Sequence, residues 1–276
     1  MSWIARLNLD YTLEAGRSVA RHAHDGPLRI LQSLYPEGDR ICHNVLVHPP
    51  SGLVGGDTLD MHVTVGQGAH GLVTTPGATR FYRSEAGLAT QQVHARVEAG
   101  ARLEWLPLEA LAYNGCDALN RAVFDLAPGA EMMTWDITAL GLPAAQLPFT
   151  HGTFRQHLEI PGVWLERGTI AAADDRLMNS PLGLAGQRCM ATLMFAAGNA
   201  IASDRAEAAL EAARAAIEAS PLRLQAGATQ PHPQVIVLRM LGPVVEPAMQ
   251  LLRPVWAAWR QALWGLPGTV PRLWNL

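Results

Sequence analysis

The chain has 276 residues, of which 49% are apolar and 16% are charged, and its formal net charge is −3. A chain this long and this apolar buries a substantial core, which excludes an intrinsically disordered protein. The small negative charge excludes the strongly basic surface of a nucleic-acid-binding protein. All 21 basic residues are arginine, which excludes a lysine-containing phosphate loop, a lysine Schiff base and a lysine general base.

The cysteine count and the hydropathy pattern indicate a cellular compartment. Cys42, Cys116 and Cys189 are odd in number and lie far apart, which argues against a disulfide framework. The first ten residues carry no apolar run of signal-peptide length, and the longest apolar stretch, 190–202, is too short to cross a bilayer. We therefore expect a soluble cytoplasmic protein with no membrane or nucleic-acid partner.

Short alternating runs characterise the first two thirds of the chain. Apolar and polar residues alternate over 61–65 and again over 93–97, which predicts half-buried strands. The Gly-rich segment 52–57 lacks the helix that would follow a phosphate cradle. We interpret it as a turn that leads into a strand at 59–65.

A weak internal repeat accompanies these strands. Gly68-Ala69, Gly100-Ala101 and Gly129-Ala130 each follow a strand-like run and precede another, at spacings of 32 and 29 residues. Glycine permits the positive φ of a tight reversal, and alanine fits where strands leave little room. The repeat predicts stacked strand layers, as in a β-solenoid or a many-stranded sandwich. The alternative is that Gly-Ala is simply a common dipeptide in an alanine-rich chain.

The last third changes character. Residues 203–219 predict a helix, with Asp204 and Glu207 placed as a capping box. Residues 234–241 predict a buried strand, and 244–264 predict a second helix that ends at a glycine. The predicted fold is mostly β, with stacked strand layers and two C-terminal α-helices. We expect one domain over 1–276, mainly β over 1–200 and helix–strand–helix over 201–276.

Tryptophans are concentrated near the end of the chain. Trp256, Trp259 and Trp264 lie on about one face of the second predicted helix. We favour a stripe packed on the chain's own core. The alternative is a docking surface for a partner, because exposed aromatic side chains are rare without one.

Motifs of common enzymes and metal sites are missing. The sequence has no G-x-S-x-G, no H-E-x-x-H and no G-x-G-x-x-G. His22 and His24 share one face of a strand, and Cys42, His43 and His48 are close in sequence, which suits a borderline divalent metal such as nickel or zinc. No set of four ligands at zinc spacing is visible. We therefore favour histidines without metal and predict no resident metal site.

Three carboxylates lie among large apolar residues. Glu104 and Glu109 flank the segment Trp-Leu-Pro-Leu, and Asp136 follows Trp135. Alternation places Asp136 on the face opposite Trp135. Ionised carboxylates are almost never buried unpaired. We leave three settings open: a solvated face, a pair with arginine, or a wet interior channel that attracts divalent cations without holding them tightly.

Several long, irregular segments form a pattern in a fixed order: His48–Asp57, Thr74–Ser84 and Leu103–Glu109, with Gly26–Leu28, Tyr35–Gly38 and Pro271–Trp274 adding to it. In this order and spacing they resemble the urease accessory protein family UreD, also called UreH. The resemblance spans nearly the whole chain. It implies a mostly β fold of stacked layers with two helices near the C-terminus.

The resemblance also implies a function. Proteins of this family are non-enzymatic scaffolds that assist nickel delivery into urease. They contact apo-urease and UreF, and through UreF the GTPase UreG, while nickel passes transiently through the interior. We therefore expect no permanently bound cofactor and no catalytic residue.

Matching the family's motif gives candidate partner or channel residues. They are Asp57, Arg80, Tyr82, Glu104, Glu109 and Asp136. Arg80 stands where the family usually has lysine, which keeps the charge but changes its shape. Leu142 replaces an expected arginine and Leu108 replaces a usual polar residue, and each change weakens the expectation of a polar contact there.

Two other classes of protein are alternatives to this interpretation. The first is a small-molecule hydrolase on a β scaffold, which predicts a deep apolar pocket with a carboxylate or histidine of strongly shifted pKa. The second is a metal store that uses histidines as tight ligands.

Overall fold

Strands dominate the first two hundred residues of the computed structural model, which describes residues 2–275. The first ten strands are β1 Ile4–Glu14, β2 Arg17–Asp25, β3 Arg29–Leu34, β4 Cys42–Val47, β5 Gly52–Leu53, β6 Thr58–Val65, β7 His70–Thr74, β8 Thr79–Phe81, β9 Ala89–Val97 and β10 Arg102–Leu106. The remaining strands are β11 Ala110–Ala112, β12 Asp117–Leu126, β13 Glu131–Leu142, β14 Leu147–Pro148, β15 Thr153–Ile160, β16 Trp164–Ala171, β17 Cys189–Ala197, β18 Ala226–His232 and β19 Val235–Gly242. The helices are α1 Asp175–Asn179, α2 Ser203–Glu218 and α3 Val245–Trp259, with a π-helical continuation Arg260–Trp264 and short 3₁₀ turns Pro143–Ala145 and Arg272–Asn275.

The strands form two sheets that lie face to face. The outer sheet has seven strands in the order β16-β15-β12-β9-β6-β1-β2. The middle sheet has twelve strands, and its main path runs β18-β19-β17-β13-β10-β7-β4-β3. Helices α2 and α3 cover the other face of the middle sheet, so the molecule has three layers. The prediction of a mostly β fold of stacked strand layers is confirmed.

The predicted Gly-Ala repeat marks the turns between the two sheets. The chain passes from β6 to β7, from β9 to β10 and from β12 to β13 through these turns, and each set of strands pairs in parallel. Gly68, Gly100 and Gly129 have φ values of +70°, +68° and +80°. The Gly100 amide donates to the Gly129 carbonyl at 3.1 Å, so successive turns stack on one another. The repeat is therefore a solenoid-like coil.

Two hydrophobic cores lie on either side of the middle sheet. Met132 and Leu140 of β13 face the outer sheet, whereas Met133, Trp135 and Ile137 face the helices. The predicted alternation along this strand is confirmed. Burying each such side chain stabilises the fold by about 2 kcal/mol relative to leaving it in water.

The first C-terminal helix begins where the sequence predicted but is capped differently. Ala202 is the N-cap, and no side chain caps this end of α2. The predicted capping box of Asp204 and Glu207 is wrong, because the Ile201 amide donates to the Pro233 carbonyl and fixes the start of the helix just after it. Asp204 lies in the first turn, where its charge still complements the helix dipole.

The second C-terminal helix and its tryptophans pack inward. Gly265, with φ of +64°, ends the helical segment as predicted. Trp256, Trp259 and Trp264 are buried in the core beneath the helices. The core interpretation of this stripe is confirmed, and a docking surface made of these rings is excluded.

Two further predictions concern membrane-spanning helices and the domain boundary. Within residues 2–275, no helix has both the length and the hydropathy required to cross a membrane. The single-domain boundary over 1–276 stays a prediction, and Met1 and Leu276 lie outside the described residues.

Candidate functional site

The three motif segments of the sequence meet at one place on the surface. Strand β5 pairs with β8, and the Tyr82 amide donates to the Leu53 carbonyl at 2.9 Å. The Leu108 amide donates to Thr75 Oγ1 at 2.9 Å, which ties the third segment to the second. Together with β4 and β9, the first two segments line an open pocket of about 310 Å³, which we call the motif pocket.

Close packing holds the wall beside this pocket. A Cβ on Gly52 would lie 2.4 Å from Tyr82 Cε2 and 2.8 Å from the Arg80 carbonyl oxygen, so this position accepts no side chain. Tyr82 in turn stacks edge-on against Tyr113, with ring centres 4.9 Å apart. Tyr82 and Arg80 are both half-buried, and Arg80 lines the motif pocket. These two candidates therefore lie together, as their closeness in sequence predicts.

Asp57 has a local role in the turn that precedes β6. Its carboxylate is buried, and it accepts hydrogen bonds from the Val54 amide at 3.0 Å and the Trp3 amide at 3.3 Å. The turn leads into β6 at Thr58, as the sequence predicted. Both carboxylate oxygens accept hydrogen bonds from backbone amides, and Asp57 does not line the motif pocket.

Asp136 lies between the two sheets. It lines an interior pocket of about 30 Å³ together with residues of β6, β9, β10, β12 and β15. Burial raises the pKa of Asp136 to about 6, the nearby Glu166 charge adds to this, and hydrogen bonds from Gln156 and Thr138 oppose it. At neutral pH the carboxylate is ionised in a poorly solvated site whose hydrogen-bond donors are uncharged. Asp136 is half-buried, and within residues 2–275 neither a hydrogen bond nor an ion pair joins its carboxylate to an arginine.

A chain of uncharged side chains connects the motif pocket to Asp136. Thr79 Oγ1 donates to Gln91 Oε1 at 2.9 Å, and Gln91 Nε2 donates to Asn120 Oδ1 at 3.1 Å. Asn120 Nδ2 then donates to Asp136 Oδ2 at 3.1 Å. Gln91 lines both the motif pocket and the interior pocket. We call this chain, with its continuation below, the polar row.

The row continues from Asp136 to the far edge of the sandwich. Asp136 is directly opposite Thr192 of β17, and Thr192 is directly opposite Arg239 of β19, so all three side chains share one face of the middle sheet. Thr192 Oγ1 donates to Glu166 Oε1 at 3.5 Å, and Arg239 Nη2 donates to Glu166 Oε2 at 2.6 Å. Arg239 is 51% exposed and, with Glu166, lines a surface pocket of about 230 Å³. The polar row thus runs from one surface pocket, past a half-buried acid, to another. Between Asp136 and Thr192 it is continuous through strand register, and no hydrogen bond joins these two side chains among the described residues.

Glu104 lies on the other face of the middle sheet. It is directly opposite Met133 of β13 and therefore faces the helices. Its carboxylate is fully buried, and it accepts hydrogen bonds from Trp256 Nε1 at 2.7 Å and from His70 Nε2 at 2.9 Å. Arg260 Nε lies 3.5 Å from the same carboxylate. Glu104 pairs with arginine, which is one of the settings left open, and it does not belong to the polar row.

Arg260 connects this carboxylate to a second one. Its guanidinium donates to both oxygens of Glu37, at 2.9 and 3.1 Å, and His43 Nε2 lies 2.9 Å from the same acid. Burial raises the pKa of the Glu37 carboxyl, but the bonds from His43 and Arg260 outweigh burial and bring the pKa below its ordinary value. Burial lowers the pKa of His70, which is therefore neutral at pH 7. We call this group the C-terminal clamp: Glu37, His43, His70, Glu104, Trp256 and Arg260.

A neighbouring set of charges balances the clamp. Glu131 pairs with Arg205 at 2.8 Å and with Arg102 at 3.6 Å, and it accepts a hydrogen bond from Trp264 Nε1 at 2.7 Å. The clamp contributes two carboxylates and one guanidinium, and this set contributes one carboxylate and two guanidiniums. The formal charges of these carboxylates and guanidiniums therefore cancel, which favours burial of Glu104 and Arg260 beneath the helices, whereas Arg102, Glu131 and Arg205 are half-buried.

The remaining candidate, Glu109, lies between β10 and β11. Its side chain is half-buried, and its backbone carbonyl accepts a hydrogen bond from the Thr79 amide at 2.9 Å. The Glu109 charge adds to the burial that raises the pKa of the Cys189 thiol, and it opposes the burial that lowers the pKa of Arg253. Glu109 and Asp136 thus lie on different elements and do not share a hydrogen bond among residues 2–275.

The histidine groups noted in the sequence are only partly brought together. His22 and His24 stack with ring centres 5.7 Å apart on edge strand β2. Cys42 is in the core between the sheets, His43 is in the C-terminal clamp and His48 lies against Trp3. Within the described residues, no group of three or more histidine, cysteine, aspartate or glutamate side chains is arranged to hold a metal ion.

The two alternative classes make different demands on these sites. The pocket beside Asp136, the acid whose carboxyl pKa burial raises to about 6, has room for about one water molecule and none for a metabolite. The hydrolase hypothesis therefore lacks the deep pocket that it predicts at this acid, whereas the larger motif pocket is lined by His48, whose pKa burial lowers. A tight metal store likewise has no multi-ligand site in the part of the chain that the structure describes.

Sequence reasoning missed several residues of these groups. Glu37 and Arg260 are 223 positions apart, and no local pattern pairs them. Gln91 and Asn120 have ordinary positions on their strands, and only the parallel register of β9 and β12 brings them together. One sequence signal for the burial of Arg260 was its position on the same helical segment as the tryptophans.

Known proteins resemble this chain over its whole length. The model of a family described as UreD urease accessory protein matches residues 4–275. Proteins named "Urease accessory protein UreD" from Paracidovorax citrulli (strain AAC00-1) and Variovorax paradoxus (strain S110) are 65% and 64% identical to the chain, and the matches cover 100% and 99% of both chains. A protein of the same name from Methylibium petroleiphilum (strain ATCC BAA-1232 / LMG 22953 / PM1) is 51% identical over the full length of both. The matches include every segment that builds the motif pocket, the polar row and the C-terminal clamp.

Proposed function

Because the chain belongs to the UreD family of urease accessory proteins, we propose that it is a non-enzymatic assembly factor that assists nickel delivery into apo-urease. In this proposal it binds apo-urease and UreF, and through UreF the GTPase UreG, in the cytoplasm. Nickel is its cargo and passes through the interior without staying bound.

The polar row is the observation that carries this proposal. It connects the motif pocket, built from the segments that resemble the family, to the surface pocket beside Arg239. Along its length it offers amide and hydroxyl oxygens and two carboxylates, that of Asp136 and that of Glu166, which is paired with Arg239 at the far end. Oxygen ligands of this kind attract a divalent cation, but the one carboxylate without a bonded arginine, Asp136, holds it weakly. This composition suits transfer and does not suit storage.

The charge of Asp136 also supports transfer of a cation along the row. The Asp136 carboxylate is half-buried, and desolvation between the sheets raises its pKa to about 6, so it is ionised at pH 7 but lacks a charged partner bonded to it among residues 2–275. A passing cation would supply that charge and relieve the cost of desolvation. The interior pocket has room for about one water molecule, so transfer requires the side chains of the row to move or the cation to shed water.

The C-terminal clamp supports the scaffold part of the proposal. It fixes α3 and the last residues of the chain against the middle sheet through buried ion pairs and the hydrogen bond from Trp274 Nε1 to Thr74 Oγ1 at 2.8 Å. A rigid body of this kind holds partner surfaces in a constant relative position. Arg80 and Tyr82 beside the motif pocket are the proposed partner contacts at one mouth of the row.

Deletion of this chain from urease-producing cells tests the proposal. We expect apo-urease to accumulate with little nickel, and we expect the chain to co-purify with apo-urease and UreF when all are expressed together. Normal nickel content in the deletion strain would contradict the proposal. Turnover of a metabolite by the purified chain would contradict its non-enzymatic part.

A further inference from the structure

Two histidines face each other on the solvent side of the outer sheet. His62 of β6 and His94 of β9 are directly opposite in the parallel register, with ring centres 6.3 Å apart and ring planes at 70°. Their side chains are 53% and 49% exposed. They lie on the opposite face of the outer sheet from the polar row, since Met61 and Val63 beside His62 point into the core.

Each of these imidazoles has a carboxylate beside it. His62 Nε2 lies 3.3 Å from Asp60 Oδ1, and His94 Nε2 lies 2.5 Å from Asp125 Oδ2. Metal-bound histidines usually donate their second ring nitrogen to a carboxylate, as the His94–Asp125 pair does, which fixes the tautomer and leaves the other nitrogen as the ligand. In this arrangement Nδ1 of His94 is the free lone pair, while Asp60 lies within ion-pair distance of His62 without a hydrogen bond to it. Asp60 is itself held by Gln92 Nε2 at 2.9 Å.

The spacing of the rings is close to what a shared ion requires. With metal–nitrogen bonds of about 2.1 Å, two imidazoles on one ion have ring centres about 5 Å apart. Because both side chains are half exposed, rotation of the rings covers the remaining distance without moving the strands. The charges around the rings are mixed: Arg6 is opposite Asp60, and Arg96 is opposite Asp125 and paired with Glu98 at 2.8 Å.

We propose that His62 and His94 form a weak surface site for one borderline divalent cation such as Ni²⁺, Cu²⁺ or Zn²⁺. The two imidazoles are the protein ligands, water completes the coordination, and Asp60 and Asp125 orient the rings. Imidazole suits these metals better than Mg²⁺ or Ca²⁺. Two protein ligands are fewer than a tight site uses, in keeping with the lack of a three-residue cluster in the described part of the chain.

The stacked pair His22 and His24 is the natural comparison within the same chain. Its ring centres are 5.7 Å apart, closer than the 6.3 Å between those of His62 and His94. Within the described residues, neither of its rings has a carboxylate within the 4.0 Å of an ion pair. Burial and the neighbouring His24 lower the pKa of His22, and the pair serves as a matched control of equal histidine content.

Equilibrium dialysis of the full chain against NiCl₂ at pH 7.5 tests the site. We expect His62→Gln/His94→Gln to lose one equivalent of bound Ni²⁺, whereas His22→Gln/His24→Gln keeps it. Asp60→Asn/Asp125→Asn is expected to weaken binding by about ten- to a hundredfold without removing the equivalent. Circular dichroism of each variant checks that the sheet is intact.

Three outcomes would overturn the inference. They are wild-type stoichiometry in the His62/His94 variant, loss of the equivalent in the His22/His24 variant instead, and no Ni²⁺ bound by the wild type. Because the site is separate from the polar row, its failure leaves the proposed function standing, and the deletion experiment distinguishes the two.

Discussion

The guanidinium of Arg260 donates hydrogen bonds to both carboxylate oxygens of Glu37, a residue 223 positions earlier in the chain. The arginine side chain is fully buried and the glutamate side chain is 4% exposed. This bidentate pair joins the helical C-terminus to the loop between β3 and β4. It is the structural centre of the C-terminal clamp.

Removing the arginine is expected to destabilise the fold strongly. Arg260→Met leaves Glu37 and Glu104 buried without their cation, which costs about 3–5 kcal/mol of the free energy of unfolding. Urea denaturation of the purified chain measures the loss. Arg21→Met, which breaks the exposed pair with Glu14, is the control and is expected to cause no measurable change. Equal midpoints for the two variants would show that the clamp contributes nothing.

The close contact of Gly52 with Tyr82 gives a second prediction. Gly52→Ala places a methyl group where Tyr82 and the Arg80 carbonyl already lie, and overpacking of this kind costs about 1–3 kcal/mol. Gly77→Ala is a matched control from the same pocket, because its Cβ meets no atom within 4 Å. Thermal unfolding of both variants measures the difference. A Gly52→Ala protein as stable as the wild type would mean that the wall of the motif pocket is loosely packed.

The three free cysteines are expected to be unreactive in the folded chain. All three are buried, and burial raises the pKa of Cys116 and of Cys189 to about 12. The thiolate is the reactive form, so little is present at pH 8. Ellman's reagent should label no thiol in the native protein and three in urea. Rapid labelling of the native protein would contradict the packing of the core.

The raised pKa of Asp136 predicts how its contribution to stability depends on pH. In the unfolded chain this carboxyl ionises near 3.8, and in the folded chain near 6. Between these values the folded state binds more protons, so stability falls as pH rises from about 4 to 6 and is level above about 7. The loss is at most about 3 kcal/mol.

Comparison of the wild type with Asp136→Asn isolates this effect. The difference in unfolding free energy between the two proteins should change over that pH range and favour the variant at pH 7.5, since the amide needs no desolvated charge. A pH-independent difference would show that Asp136 is well solvated.

Local sequence patterns predicted the elements and the faces of the fold well. The Gly-Ala turns, the alternation along β13 and the inward tryptophans of α3 all follow from spacing and side-chain chemistry. The N-cap of α2 was predicted wrongly, because a tertiary hydrogen bond at Ile201 sets the start of the helix.

Strand register determines which side chains meet at the site, and local sequence patterns do not predict it. Glu104 and Asp136 looked equivalent in sequence, but Glu104 is opposite Met133 and so faces the helices, whereas Asp136 faces the outer sheet. A difference of one residue in register reverses such an assignment. The pairing of Gln91 with Asn120 likewise depends on register between strands that are about 30 residues apart.

The nickel content of urease activated by Asp136→Asn tests the central claim most directly. Urease is purified from cells in which the chromosomal copy of this chain is replaced by wild type, Asp136→Asn or the exposed control Asp10→Asn, and nickel per active site is measured. We predict that Asp136→Asn lowers nickel loading several-fold although the variant is at least as stable as the wild type, while Asp10→Asn loads normally. Wild-type loading with Asp136→Asn would contradict the claim that nickel passes along the polar row.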